Sequence, residues 1–127
     1  MTHGDEQSLI EQVRAALVSR DLAAFGALLS DDVHWGADDH PRACRNRDDV
    51  LGTFAQILAK GAEGRVIDVV AGPRGILCEI ALTWTARRPL GDETRLFHVY
   101  LVRDGRIVEI QRYDDRPTGA SAVGLTP

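Results

Sequence analysis

The chain has 127 residues, 44% of them apolar and 27% charged, a composition that fits one globular domain and excludes a disordered chain. No apolar run approaches the roughly 18 residues of a membrane span, and the first residues lack the basic and apolar regions of a secretory signal, so we expect a cytoplasmic protein with no membrane partner. The 15 basic side chains are outnumbered by 19 acidic ones, which leaves a net charge of −4 and argues against a nucleic acid partner.

The first half of the chain begins with two predicted helices. Ile10, Val13 and Leu17 recur at helical spacing and form one apolar stripe. Asp21 has the chemistry of an N-cap and opens a second helix, whose apolar stripe runs from Leu22 to Leu29.

A third helix is predicted after an irregular segment. It begins near Asn46 or Asp48, with acidic side chains in its first turn, where the helix dipole favours them. Its apolar residues include Phe54 and Leu58. The segment before it, residues 33–45, has room for no more than one short strand.

The second half has the pattern of strands, because segments rich in β-branched and aromatic residues alternate with Gly, Pro and Asp turns. The predicted strands are Arg65–Ala71, Ile76–Arg87, Thr94–Arg103 and Arg106–Asp114. Their spacing is too short for helical crossovers, so the sheet is predicted to be an antiparallel meander in an α+β domain. We expect one domain over residues 1–115 and a flexible tail over residues 116–127, which are rich in Pro, Gly, Ser and Thr.

The longest predicted strand has two different faces. One face is apolar along its whole length, and the alternating face is smaller and more polar. The apolar face consists of Ile76, Cys78, Ile80, Leu82 and Trp84. One face of the sheet would pack on the helices and the other could meet a second subunit. Because an exposed apolar face is a liability in a monomer, we predict a homodimer through the sheet.

Three segments, in this order, resemble the nuclear-transport-factor-2-like superfamily, and most closely its SnoaL-like branch of polyketide cyclases. They are AALVSRDLAAFGALLSDDVHW, NRDDVLGTFAQIL and VYLVRDGRIVEIQRYDD, within residues 8–115. The resemblance implies a cone in which three N-terminal helices pack on a curved, mostly antiparallel sheet around an apolar cavity. It also implies a dimer that binds a small apolar or aromatic molecule. This fold hosts isomerases, cyclases, dehydratases, epoxide hydrolases and non-enzymatic binders, so it implies no single activity.

The resemblance carries over few catalytic residues. The general base and the oxyanion tyrosine of steroid isomerases would fall at Ala37 and Val13, whose side chains cannot do this chemistry. The protonated carboxyl of those enzymes would fall at His98. The Asp-Arg-Asp set of limonene epoxide hydrolases would fall near a threonine, an alanine and Arg112. Neither chemistry is therefore expected. His98 remains as a polar residue at a position that is polar in the cavity of these relatives.

His98 and Tyr100 form the best candidate site because they lie two residues apart on one strand and share a face. A partly desolvated imidazole with a near-neutral pKa can exchange protons, and a phenol can hydrogen-bond an enolate. One hypothesis is a cofactor-free isomerase, cyclase or dehydratase, with His98 as acid and base and with Tyr100 and Arg112 stabilising negative charge. The alternatives are a non-catalytic binding or accessory module, or a core histidine.

The Asp-Gly turn between the last two strands decides which residues join His98. A two-residue turn would place Glu109 on its face. A three-residue loop with a glycine bulge would place Ile110 and Arg112 there instead. The superfamily favours the second arrangement, so Arg112 and Asp114 are preferred to Glu109.

Further residues are predicted to bind the substrate. Glu79 could pair with Arg112 or orient His98, although a salt bridge at a strand edge is the alternative. Asp38 could supply a base at the cavity mouth, or belong to a solvated acidic loop. The full predicted binding set is Trp35, Asp38, Phe54, Leu58, Glu79, Thr83, Leu96, Ile110 and Asp114.

We expect no metal, no cofactor and no disulfide. His34, Asp38 and His40 match no zinc motif in their spacing. Cys44 and Cys78 are two scattered thiols, too few for a disulfide framework.

Overall fold

The computed structural model describes residues 3–36, 44–59, 62–84 and 93–125, which form helices and one sheet. The helices are α1 (His3–Ser19), α2 (Leu22–Gly26), α3 (Arg47–Ala59) and α4 (Arg116–Ala122), and the strands are β1 (Leu29–Trp35), β2 (Ala62–Ala71), β3 (Gly75–Trp84), β4 (Glu93–Arg103) and β5 (Arg106–Tyr113). The strand order is β1-β5-β4-β3-β2, antiparallel from β2 to β5, with β1 parallel to β5 at the edge. This curved, open sheet confirms the predicted α+β class. None of the described helices is long and apolar enough to cross a membrane.

The predicted helices are present, and one of them is shorter than expected. The carboxylate of Asp21 caps α2 by accepting a hydrogen bond from the Ala24 amide at 3.0 Å. The helix nevertheless ends at Gly26, and Leu29 begins β1, where it pairs with Ile107 and is fully buried. A short buried strand and the end of a buried helix have the same apolar composition, so the pattern could not separate them.

The hairpin between β4 and β5 has a two-residue turn, so the three-residue loop with a glycine bulge that the resemblance favoured is wrong. Asp104 and Gly105 have φ angles of 55° and 76°, the backbone of a two-residue turn with left-handed residues. The register then shifts after two pairs, which leaves Val108 as the extra residue of a bulge. The bulge brings Arg112 opposite His98, so the predicted face of Arg112 is correct although the bulge lies outside the turn.

The predicted apolar face of β3 faces the helices. Ile76, Cys78 and Ile80 belong to the main core with Val13 of α1 and Val50 of α3. The inner face of the sheet is therefore the one that carries the longest apolar row.

The other face of the sheet is covered by α4. A second core cluster lies between the sheet and the α4 segment. Its buried members are Leu77, Phe97, Val99, Ala120 and Val123. Gly119 lets the helix approach closely, because a Cβ atom there would lie 2.8 Å from Leu77 Cδ1.

A flexible tail was predicted over residues 116–127, but residues 116–122 form helix α4. The Asp115 carboxylate accepts hydrogen bonds from the amide and the hydroxyl of Thr118 at 2.8 and 2.7 Å, and Pro117 occupies the first turn. The composition of this segment is typical of a loop, but an N-cap and three small residues that fit the sheet make it a packed helix.

The homodimer stays a prediction, since a single chain does not test it. It depended on an exposed apolar sheet face, but α4 leaves Leu77 only 1% exposed and Val99 fully buried. The physical reason given for a dimer through this face is therefore absent.

Candidate functional site

A cavity of about 200 Å³ lies between the inner face of the sheet and helices α1 to α3. For comparison, a dry apolar cavity of about 150 Å³ binds benzene. Its described lining is mainly aliphatic and aromatic, with charged groups from one turn and one strand. The lining residues are Ala16, Leu17, Arg20, Asp21, Leu22, Phe25, Trp35, Phe54, Ile57, Gly64, Val66, Ile80, Leu82, Leu96, His98 and Arg112.

Three aromatic side chains form one wall of the cavity. Trp35 of β1 stacks on Phe54 of α3, with ring centroids 4.9 Å apart and planes at 28°. Phe25 of α2 meets Phe54 edge-on at 5.1 Å. Flat aromatic faces of this kind favour a planar apolar ligand. The structure thus places Trp35 and Phe54, and also Leu96, in the wall that the sequence analysis predicted for them.

His98 is the buried polar residue of the described core, and it lines the cavity. Its Nδ1 atom lies 3.3 Å from Tyr100 Oη, and its ring meets Trp35 at 5.6 Å and Phe54 at 6.2 Å. Three rings therefore surround the imidazole on the cavity side of the sheet. Tyr100 is thus a hydrogen-bond partner of this ring through Nδ1.

The environment keeps this imidazole neutral. Burial, with a smaller contribution from the positive charge of Arg112, lowers the pKa of His98 from 6.5 to about 4. The near-neutral pKa expected from the sequence is therefore wrong. Aromatic neighbours cannot solvate an imidazolium, and the nearby charge has the same sign as the protonated ring.

Tyr100 lies beneath His98 and does not line the cavity. Its ring is fully buried and meets Phe25 edge-on at 5.9 Å. Burial, and to a smaller extent the neighbouring Cys78, raises the pKa of Tyr100 well above its ordinary value of 10, so its hydroxyl stays protonated. Tyr100 can orient His98, and it reaches a ligand only through that residue.

Arg112 of β5 lies beside His98 and links the cavity to solvent. The two residues are directly paired across β4 and β5, and the Arg112 side chain is 54% exposed. Asp114 lies 3.8 Å from the guanidinium, with a side chain that is 91% exposed, so it is outside the cavity wall. Ile110 is fully buried in the core, likewise outside the described lining.

Two predicted binding residues lie on the wrong face of the sheet. Strand alternation puts Glu79 and Thr83 opposite the inward Cys78. The Glu79 carboxylate accepts hydrogen bonds from Arg95 at 2.6 Å and Arg116 at 2.9 Å, both on the outer face. The expectation that Glu79 pairs with Arg112 or orients His98 is therefore wrong, and so is the binding role of Thr83.

Two predicted binding side chains lie outside the described part of the structure, and two residues of the cavity lining were not predicted to line it. Asp38 lies outside the described residues, as does the side chain of Leu58. Arg20 and Asp21, in the turn between α1 and α2, line the cavity mouth. The sequence marked Asp21 only as a helix cap, and nothing in the pattern marked Arg20. The described part of the chain contains no group of three metal-ligating side chains.

The fold matches solved structures over almost all of the chain. A candidate ketosteroid isomerase from Kribbella flavida is 19% identical, with a TM-score of 0.68, over 98% of this chain and 91% of that one. A limonene-epoxide-hydrolase-like enzyme from M. tuberculosis is 21% identical, with a TM-score of 0.62, over 94% and 90%. A candidate polyketide cyclase from Sinorhizobium meliloti is 14% identical, with a TM-score of 0.64, over 84% and 94%. At these identities the likeness shows the fold alone.

A search of curated protein sequences found no match. The family model of the SnoaL-like domain matches residues 10–110, from within α1 to the centre of β5. The chain therefore belongs to the SnoaL-like family, with the nuclear-transport-factor-2-like fold.

Proposed function

We propose that this protein binds a small, planar, mostly apolar molecule in the cavity, where His98 makes a directional polar contact. One observation carries the proposal: a cavity of about 200 Å³ has stacked aromatic rings on one wall and a buried imidazole among them. A pocket of this type, mainly apolar with few polar groups, is the usual form of a small-molecule site.

The imidazole contributes as a neutral group. With a pKa of about 4, His98 is uncharged at pH 7, and its Nδ1 atom faces the protonated hydroxyl of Tyr100. When that hydroxyl donates to Nδ1, the proton of the ring is on Nε2, which then donates to an oxygen of the ligand. Burying an imidazole with one partner costs stability, and a ligand oxygen would supply the second partner.

Filling the cavity tests this proposal. Val66 of β2 lines the cavity, and its neighbour Ile67 is 37% exposed. Val66→Phe should weaken binding of a planar ring compound about tenfold or more, since the added ring occupies the ligand volume. Ile67→Phe adds the same side chain to the same strand and should leave the affinity unchanged. Equal affinities of both variants and wild type, measured by ligand-observed NMR, would contradict a ligand in this cavity.

A second candidate is cofactor-free proton transfer, such as isomerisation, cyclisation or dehydration. The observation that favours it is that His98, Tyr100 and Arg112 lie together, with His98 and Arg112 on the cavity wall. In the other tautomer, whose Nδ1–H donates to Tyr100 Oη, the Nε2 atom of His98 would take a proton from a carbon beside a carbonyl. The electron pair would pass to the carbonyl oxygen near Arg112, and the imidazolium would return the proton from Nε2 to another atom. At a pKa of about 4 the imidazole is a weak base, so binding is the first proposal.

Hydrogen exchange of a bound ligand separates the two candidates. If His98 transfers protons, a ketone ligand should exchange its acidic C–H in D₂O faster with wild-type protein than with His98→Gln, at saturating ligand. Equal exchange with both proteins, with binding retained, would leave the binding function standing and remove the proton transfer.

A further inference from the structure

We infer that the ligand of this cavity is an organic anion, a carboxylate on a planar apolar body, whose acid group is held at the mouth by Arg20 and Arg112. The inference rests on the proposed binding function and names the chemical class of its ligand. It is carried by the placement of charge around an otherwise apolar cavity.

Arg112 brings a positive charge to the cavity that is only weakly compensated. Its ion pair within the described residues is with Asp114, at 3.8 Å, and that carboxylate is largely in solvent. An exposed pair at such a distance contributes little and is readily exchanged for a better acceptor. Arg112 lines the cavity next to His98, with which it is paired across β4 and β5.

Arg20 brings a second positive charge to the cavity lining. It lies in the turn between α1 and α2 with a φ of 58°, a left-handed conformation that glycine or asparagine adopts more easily. This conformation closes α1, because it lets the Asp21 amide donate a hydrogen bond to the Ala16 carbonyl at 3.1 Å. Arg20 forms no ion pair with any described residue.

The acidic residue of the described lining does not cancel these charges. Asp21 uses its carboxylate to cap α2, accepting from the Ala24 amide. The described lining thus contains two arginines and one carboxylate, an excess of positive charge in a chain whose net charge is −4. A cavity that concentrates the minority charge of the protein favours a ligand of opposite sign.

The size and walls of the cavity define the rest of the ligand. The volume of about 200 Å³ accommodates one ring with a short substituent, and Trp35 and Phe54 offer flat surfaces to it. Guanidinium groups bind carboxylates in a planar, bidentate geometry. A monocyclic aromatic acid satisfies both requirements, with its ring inside and its carboxylate at the mouth.

Three probes with the same ring and different charges test whether the ligand must be an anion. We would measure dissociation constants of trans-cinnamate, cinnamamide and cinnamylamine by NMR titration of wild-type protein. The acid should bind at least about tenfold more tightly than the amide, and the amine should bind least. Raising NaCl from about 50 to 500 mM should weaken the acid and leave the amide unchanged.

Matched variants assign the preference to the two arginines. Arg20→Gln and Arg112→Gln should each reduce the preference for the acid, and together they should bring acid and amide to within about twofold. Arg103→Gln, an exposed arginine at the far end of β4, should keep the full preference. The amide affinity should stay the same in all of these variants, which shows that the cavity is intact.

The outcomes separate this inference from the function on which it rests. Equal affinities for acid, amide and amine in the wild type would overturn the anion class and leave a small-molecule cavity standing. An acid preference that persists in the double arginine variant would overturn the assignment to these residues. Absence of binding by all three probes at millimolar concentration would overturn both the ligand class and the proposed function.

Discussion

The two faces of the sheet solve the problem of apolar burial in different ways. The inner face is covered by α1 to α3, which stand far enough away to leave a cavity of about 200 Å³. The outer face is covered by α4, whose Gly119 and Ala120 press against Leu77, Phe97 and Val99 without such a space. Large side chains on the covering helices hold the inner layer apart, while small side chains close the outer one. Strand alternation thus provides two apolar faces, and the covering helices decide which of them borders a cavity.

The two faces also differ in how their polar groups are satisfied. On the outer face, the Glu79 carboxylate binds both Arg95 and Arg116, and Arg116 also binds Asp68 at 3.0 Å. On the inner face, His98 has one protein partner, Tyr100. Buried polar groups in folded proteins are normally paired, and exceptions concentrate at functional sites. Unlike Glu79, His98 lines the cavity, where the proposed ligand would be a further hydrogen-bond partner.

Removing the covering helix should have the largest effect. A chain truncated after Asp115 exposes Leu77, Phe97 and Val99, and should lose about 3 to 5 kcal/mol of unfolding free energy. Urea denaturation measures this loss, and light scattering should show self-association through the exposed face. Val123→Ser, which keeps the helix but polarises its buried contact, should show a smaller loss. Unchanged stability of the truncated chain would mean that α4 does not close this face.

Acidification should act on the inner face through His98. Its pKa is about 4 in the folded protein against 6.5 in the unfolded chain, so the unfolded state binds more protons between these values. Stability is therefore complete above about pH 6.5 and falls as the pH drops towards 4, by roughly 3 kcal/mol from this group.

The His98→Gln variant isolates that contribution. Urea unfolding at pH 7.5 and 4.5 should show a smaller loss of stability in the variant than in wild type, because glutamine does not titrate. His34→Gln, on β1, should retain the wild-type loss. A variant as sensitive to acid as the wild type would mean that His98 is hydrated and that its neighbours do not hold it neutral.

Closing the outer face depends on the absence of a side chain at Gly119. Gly119→Val places a Cβ atom 2.8 Å from Leu77 Cδ1 in a packed cluster, and should cost about 2 kcal/mol by overpacking. Gly52→Val in α3 is the matched change, since nothing lies within 4 Å of its Cβ position. It should leave the unfolding free energy within about 0.5 kcal/mol of wild type. Equal losses in both variants would mean that the contact with Leu77 is not the cause, since valine has a higher helix propensity than glycine.

The periodic elements could be predicted from the sequence, because local patterns determine them. The stripe of α1, the Asp21 cap and the alternation of β3 and β4 each depend on residues close together in the chain. The same alternation placed His98 and Tyr100 on one face. The family resemblance correctly placed Arg112 on that face, although the responsible bulge at Val108 has no sequence signature.

What could not be predicted depends on tertiary contacts. Glu79 was assigned to the cavity because its face of β3 is polar. That face instead contacts Arg116 of α4, a helix whose composition is typical of a loop. The pKa of His98 depends on three aromatic neighbours that come from β1, α3 and β4. Arg20 became a mouth residue only because α1 and α2 turn at that point.

The smallest effect is expected from Glu79, and it separates the faces most directly. Glu79→Gln removes the charge that Arg95 and Arg116 share, but both arginines are about half exposed. Solvent and salt screen such pairs, so the loss should be about 1 kcal/mol or less and should shrink in about 1 M NaCl. Ligand affinity should not change, because the carboxylate lies on the side of β3 away from the cavity. A weaker affinity for trans-cinnamate in this variant would show that the two faces are coupled through β3, and that the outer ion network helps to shape the cavity.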